Sequence, residues 1–177
     1  MSDSQLDQQP DRQLPIGVFD SGMGGLTVLS ALAKAMPNEQ FIYLGDSARL
    51  PYGTKSPDTV VRYARQASKE LVRRGVKALV VACNTASASA LKMLAQDFAP
   101  LPVYGVVEPG AQAAAMQADA SGVLVLATES TILGGAYQRA LLQQNPSLTV
   151  FGRACPLWVT LAEQGWMGDQ AASLTQH

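Results

Sequence analysis

Short apolar runs alternate along this chain with stretches in which apolar residues recur every three or four positions. "PIGVFD" (15–20), "FIYLGD" (41–46), "KALVVA" (77–82), "LPVYGVV" (101–107), "GVLVLAT" (122–128) and "LTVFGRA" (148–154) read as buried strands. Between them lie helical patterns. "GGLTVLSALAKAM" carries Leu26, Leu29, Ala33 and Met36 at helical spacing, and Pro37 ends it. Ser56 caps the next helix, with Pro57 at its first position and Asp58 in its first turn. Val60, Val61, Ala64, Ala67, Leu71 and Val72 form its apolar face, Arg73 and Arg74 favour its end, and Gly75 closes it. Further helices are expected near 86–96, 108–118 and 130–144, the last weakened by Gly134 and Gly135, and again after Pro156. The segment 47–56 reads as a loop rich in turn formers.

Strands rich in Val, Leu and Ile, separated by helices, predict an α/β protein with mostly parallel sheets. "FAPLPV" near 98–103 is the expected connection between two lobes, giving a leader over 1–14, a first α/β lobe over 15–99 and a partial second lobe over 100–177. In parallel α/β sheets, ligands sit beyond the carboxyl ends of the strands. The polar residues there are Asp20 and Ser21, Asp46 and Ser47, Cys83 with Asn84 and Thr85, Glu108, and Thr128. This edge is suited to something small and polar.

Composition narrows the class. Apolar residues make up 47% of the 177, enough for a core, and the net charge of −1 supplies no general attraction to nucleic acid or an anionic membrane. No apolar run approaches the roughly 20 residues of a membrane span. The polar, acidic start "MSDSQLDQQPDRQ" lacks the blocks of a signal peptide. It reads as a disordered leader or as an arm that orders on a ligand or partner. Two cysteines, Cys83 and Cys155, and the single His177 give neither a disulfide framework nor zinc-ligand spacing, so a cytosolic protein with reduced thiols is expected.

"DSGMGGL" (20–26) follows a strand and opens a helix. A dinucleotide fingerprint would need Gly at 27, which is Thr, and Asp20 would oppose a pyrophosphate. Two readings remain: a turn whose glycines allow tight strand–helix packing, or a carboxylate beside helix-start N–H groups that suit a substrate carboxylate. Cys83 is either a buried, inert thiol or, at a strand end before a helix, a thiol that the helix dipole and free N–H groups favour as thiolate. With no partner histidine for acyl chemistry, a reactive Cys83 suits proton transfer. Cys155 in "RACPLW" reads as structural. Tyr52 and Gly53 in "LPYG" are either turn residues or a backbone contact to a ligand. Asp46 reads as a loop cap.

Taken together, "FDSGMGGLTVL", "YLGDSARLPYG", "VVACNTASA" and "VLATESTILGGAY" resemble the glutamate racemases in order and spacing, from about residue 15 onward. The resemblance implies a two-lobe Asp/Glu racemase-like α/β fold. It also implies a cofactor-independent, two-base reaction in which one cysteine thiolate removes the α-proton of glutamate and a second cysteine returns one to the opposite face. The product is D-glutamate for peptidoglycan. By matched motif, Cys83 is one of the two cysteines, and Asp20 supports it in proton handling and ammonium contact. Ser21, Tyr52, Gly53, Asn84 and Thr85 are implied substrate contacts, as are Thr128 and Thr131, between which Ser130 stands where the family has Gly. Neither a metal nor an organic cofactor is implied. The implied partner is glutamate, not nucleic acid or membrane, and relatives of this type commonly pair as homodimers.

The family's second motif, Gly-Cys-Thr-His, does not occur in residues 1–177: Cys155 is followed by Pro and Leu, and His177 is preceded by Thr and Gln. The expectation is a C-terminally truncated member whose second lobe and return to the first are incomplete, poor or inactive as a racemase alone. The rivals are a remnant that binds a ligand or partner without turnover, an aspartate racemase, and a nucleotide-binding α/β domain.

Overall fold

A computed structural model describes residues 14–119 and 122–163; most of the leader, the end of the second lobe and His177 lie outside the described residues. All six expected strands form: β1 (Ile16–Asp20), β2 (Phe41–Gly45), β3 (Ala78–Val81), β4 (Val103–Gly105), β5 (Val123–Ala127) and β6 (Val150–Ala154). The helices are α1 (Leu26–Ala35), α2 (Pro57–Arg73), α3 (Asn84–Asp97), α4 (Val107–Gln117), α5 (Glu129–Gly134), α6 (Ala136–Gln144) and α7 (Pro156–Glu163). Every described strand pair is parallel. One sheet has the order β2-β1-β3-β4, and the second pairs β5 with β6.

β1 is buried along its whole length because it is central, flanked by β2 and β3. Phe19, Leu79 and Val81 point to one face of the sheet, where they meet α2 and α3 through Val60, Ala64, Leu71, Ala90 and Leu94. The capping signals of α2 act as expected: Thr59 N–H donates to Ser56 Oγ at 3.4 Å, and Gly75 at φ +75° lets its N–H reach Val72 O. A second, smaller core joins Val107 and Ala111 of α4 to Ala140 and Leu141 of α6 over Val123, Val125 and Val150.

Three details differ from the sequence expectation. β4, assigned to the second lobe by a division at 99/100, pairs with β3 through Leu79–Val103 and Val81–Gly105, so by sheet membership it stands with the first. The helix expected over 130–144 is two, because Gly135 adopts the left-handed conformation (φ +62°) and separates α5 from α6. No residue of α1 is fully buried. It turns Val28, Leu32 and Met36 toward the sheet, whereas Leu26 is exposed. These residues share an apolar groove with Ile16, Ala78, Val80 and Tyr104 on the sheet face opposite α2 and α3. Leu124, Leu126 and Phe151 are likewise exposed on β5–β6.

Candidate active site

At the carboxyl edge of the first sheet a cavity of about 230 Å³ is lined by Asp20, Ser21, Tyr52, Gly53, Cys83, Asn84, Thr85 and Thr128. Eight of the nine site residues that the resemblance implies therefore surround one space; the ninth, Thr131, is fully buried beside Thr128. The topology explains the convergence. Asp20 ends β1, Cys83 follows the adjacent β3, and α5 brings Thr128 across from the second sheet.

Cys83 is the N-cap of α3 and only 5% exposed. Ala86 N–H donates to its Sγ at 3.4 Å, and its S–H donates to Ser21 Oγ at 3.3 Å. Of the two readings of Cys83, the helix start alone would favour thiolate. Instead, burial pushes the thiol above its ordinary range. Ser21 and the Ala86 N–H pull it down, Asp20's negative charge adds to the rise, and desolvation wins. The shift favours the neutral thiol, and a thiolate formed in this desolvated place is a stronger base than one in water.

Asp20 is also buried. Its Oδ2 accepts the N–H groups of Gly22 at 3.0 Å and Gly25 at 3.1 Å, and the Tyr43 hydroxyl at 3.4 Å. This corrects the reading of the glycine loop: two of its N–H donors serve Asp20 itself, not a ligand carboxylate. Tyr43 also donates to Gly22 O at 2.9 Å, which pins the loop to β2. Burial and the nearby Asp20 charge push the Tyr43 phenol upward, so it remains a donor.

Donors for a ligand come from the other side of the cavity. The first two N–H groups of α3, those of Asn84 and Thr85, have no partner within the helix. Thr85 Oγ1 lies 3.1 Å from Thr128 Oγ1 and 3.4 Å from Thr131 Oγ1, and the last two are 3.0 Å apart. Thr128 additionally caps α5, accepting from Thr131 N–H. Gly53 packs against this cluster so closely that a Cβ there would sit 2.5 Å from Thr128 Cβ.

Tyr52 is 1% exposed, and its ring packs between Phe19 and Tyr63. Its hydroxyl donates to Asp46 Oδ2 at 2.5 Å, so the side chain is spent on structure. Asp46 also pairs with Arg49 Nε at 2.7 Å and donates its N–H to Asp20 O. It fastens the 47–54 loop from both ends, a larger role than the loop cap expected. Glu108 and Ser47 are exposed and do not line the cavity, and Ser130 Oγ is buried without a partner among the described residues. Cys155 follows β6, where its N–H donates to Ala127 O.

Sequence reasoning missed Tyr43, Asp46 as anchor of Tyr52, and Tyr137, whose hydroxyl donates to Asn84 Oδ1 at 2.6 Å. Tyr43 and Asp46 stand in "YLGDSARLPYG" and Tyr137 ends "ILGGAY", but neither stretch shows which distant group each side chain reaches. Among the described residues no cluster of His, Cys, Asp and Glu could hold a metal ion, and no helix is long and apolar enough to cross a membrane.

Comparison with known proteins agrees with this architecture. The chain is 54% identical over 160 residues to a glutamate racemase of Geobacter metallireducens, covering 90% of this chain and 59% of that protein. Its fold matches the glutamate racemase of Thermus thermophilus, solved with β-chloro-D-alanine (TM-score 0.80, 49% identity, 93% of this chain and 60% of that one). It also matches the Francisella tularensis enzyme, solved with D-glutamate (TM-score 0.85, 39% identity, 93% and 61%). The chain thus spans about three fifths of the length of these relatives. The family model described as Asp/Glu/Hydantoin racemase matches residues 16–175, and the chain belongs to that family.

Proposed function

We propose that this site binds glutamate and that Cys83 is one base of a two-base, cofactor-independent racemisation linking L- and D-glutamate. The observation that carries the reading is the buried Cys83 thiol facing a small cavity beside Asp20 and opposite the Thr85–Thr128 hydroxyls. The related glutamate racemases, one of them solved with D-glutamate, support glutamate as substrate.

The α-proton of an amino acid is weakly acidic, so its removal needs a desolvated base and fixed charges. The substrate ammonium belongs near Asp20. A cation there offsets Asp20's negative charge and favours Cys83 as thiolate, so binding itself arms the base. The N–H groups at the start of α3, with the Thr85 and Thr128 hydroxyls, suit a carboxylate and resist charge build-up as the α-carbon loses its proton. Ser21 hydrogen-bonds the sulfur and keeps it aimed. Tyr52 and Gly53 contribute backbone and shape rather than chemistry.

On this reading the product supplies D-glutamate for peptidoglycan, and the reaction takes place in the cytoplasm. Residues 1–177 carry one of the two cysteines, and by themselves turn over poorly. Calorimetry with L-glutamate, D-glutamate and aspartate, run beside a circular-dichroism assay of racemisation, tests the reading. Binding of glutamate in preference to aspartate is expected; binding of neither amino acid contradicts it. Inversion at ordinary enzyme rates by residues 1–177 contradicts the claim of poor turnover.

A further inference from the structure

Asn84 stands between two cavities. It lines the 230 Å³ site with Cys83 and Thr85, and also a second cavity of about 420 Å³ walled by α4, β5 and α6. In the second, the Tyr137 hydroxyl reaches from α6 to Asn84 Oδ1 at 2.6 Å, across 53 positions of sequence. It lies against Gly110 of α4, where a Cβ would sit 3.2 Å from it. Burial pushes its phenol upward, which favours the protonated form that can donate to the amide oxygen.

An asparagine amide has one accepting end and one donating end, and which end faces a ligand decides whether it attracts or repels a carboxylate. Thr85 and Thr128 hydroxyls can rotate to suit either; Asn84 cannot without a flip of its amide. We infer that Tyr137 is a positioning residue that holds the carbonyl end of Asn84 on the α6 side and so presents its NH2 group to the ligand cavity as a carboxylate donor. The inference rests on the proposed glutamate site and adds a specificity device to it. The tie also joins the helix after β3 to the second sheet's helices. The amide is therefore aimed only while α6 is docked.

The test uses residues 1–177 as wild type, Tyr137→Phe, Asn84→Ala and the double variant, with 15N-asparagine labelling and L-glutamate as the probe ligand. The Asn84 side-chain amide resonances, displaced from their unstructured positions in the wild type, should shift toward those positions in Tyr137→Phe. Calorimetric affinity for glutamate should fall about five- to tenfold in Tyr137→Phe, the worth of one hydrogen bond. In the Asn84→Ala background the same change should cost less than about twofold, because Tyr137 acts through the missing amide. An Asn84 amide unaffected by Tyr137→Phe, or an equal loss in both backgrounds, overturns the inference. A wild type that binds no glutamate overturns the functional reading and with it the ligand assigned to the amide. An ordered, Tyr137-dependent amide in that case locates the failure in the ligand rather than in the tether.

Discussion

Thr85 Oγ1 and Thr128 Oγ1 lie 3.1 Å apart, one on the helix after β3 and the other at the end of β5, so the two sheets meet through hydroxyls at the rim of the cavity. A contact of this kind is directional. It fixes how the second sheet's end faces Cys83, which apolar packing alone would leave free to slide. Thr128→Val should remove it together with the cap on Thr131 N–H, at a cost of about 1–2 kcal/mol, whereas Thr128→Ser should cost only a few tenths. Urea denaturation of the two variants separates the hydroxyl's contribution from that of the methyl group.

Gly53 belongs to the same junction. A methyl group added there meets Thr128 Cβ and Cγ2, both at 2.5 Å. Gly53→Ala should therefore destabilise by about 1–3 kcal/mol, as overpacking does. Adding Thr128→Ala should not restore the loss, because the Cβ that clashes is still present. Thermal melts of the single and double variants check this.

The Cys83 thiol carries its own pH signature. Its folded-state pKa is raised above the ordinary value, mainly by burial, so the folded protein holds the proton more tightly than the unfolded chain does. The associated stability is complete below the unfolded pKa and is lost as pH rises through the folded one. Alkylation of Cys83 by iodoacetamide, followed by peptide mass spectrometry, should show a higher pH midpoint in the native protein than in urea. Bound glutamate should bring that midpoint back down. A native midpoint below the urea value would reverse the electrostatic account.

Tyr52→Phe removes the 2.5 Å hydrogen bond to a buried carboxylate and leaves Asp46 with Arg49 as its remaining side-chain partner. The expected loss is about 1–3 kcal/mol. Because the Tyr52 side chain is turned away from chemistry, glutamate affinity should change less than stability does. Chemical denaturation and calorimetry on the same variant compare the two.

Much of this was legible from the chain. The strands announced themselves as short apolar runs rich in Val, Leu and Ile, and Gly134-Gly135 marked a weak point in what reads as one helix but is two. Asp20, Cys83 and Thr128 could be placed on one edge because parallel topology sends every strand's carboxyl end the same way. What could not be read were long-range matters. Whether Gly22 and Gly25 offer their N–H groups to a ligand depends on the rotamer of Asp20. Whether a helix start or burial governs Cys83 depends on how α2, α3 and the 52–54 turn close over it. The helical period of α1 fixed the element but not its inward face, since Leu26 and Val28 both fit an apolar stripe and only the sheet beneath chooses.

The central claim is that the Cys83 sulfur abstracts the α-proton of glutamate, and solvent exchange tests it most directly. Residues 1–177 are incubated in D2O with each enantiomer separately, and loss of the α-proton signal is followed by NMR, for wild type and for Cys83→Ser. The account predicts slow, Cys83-dependent exchange of the α-proton in one enantiomer only. Exchange that survives in Cys83→Ser, or exchange with neither enantiomer, would contradict it.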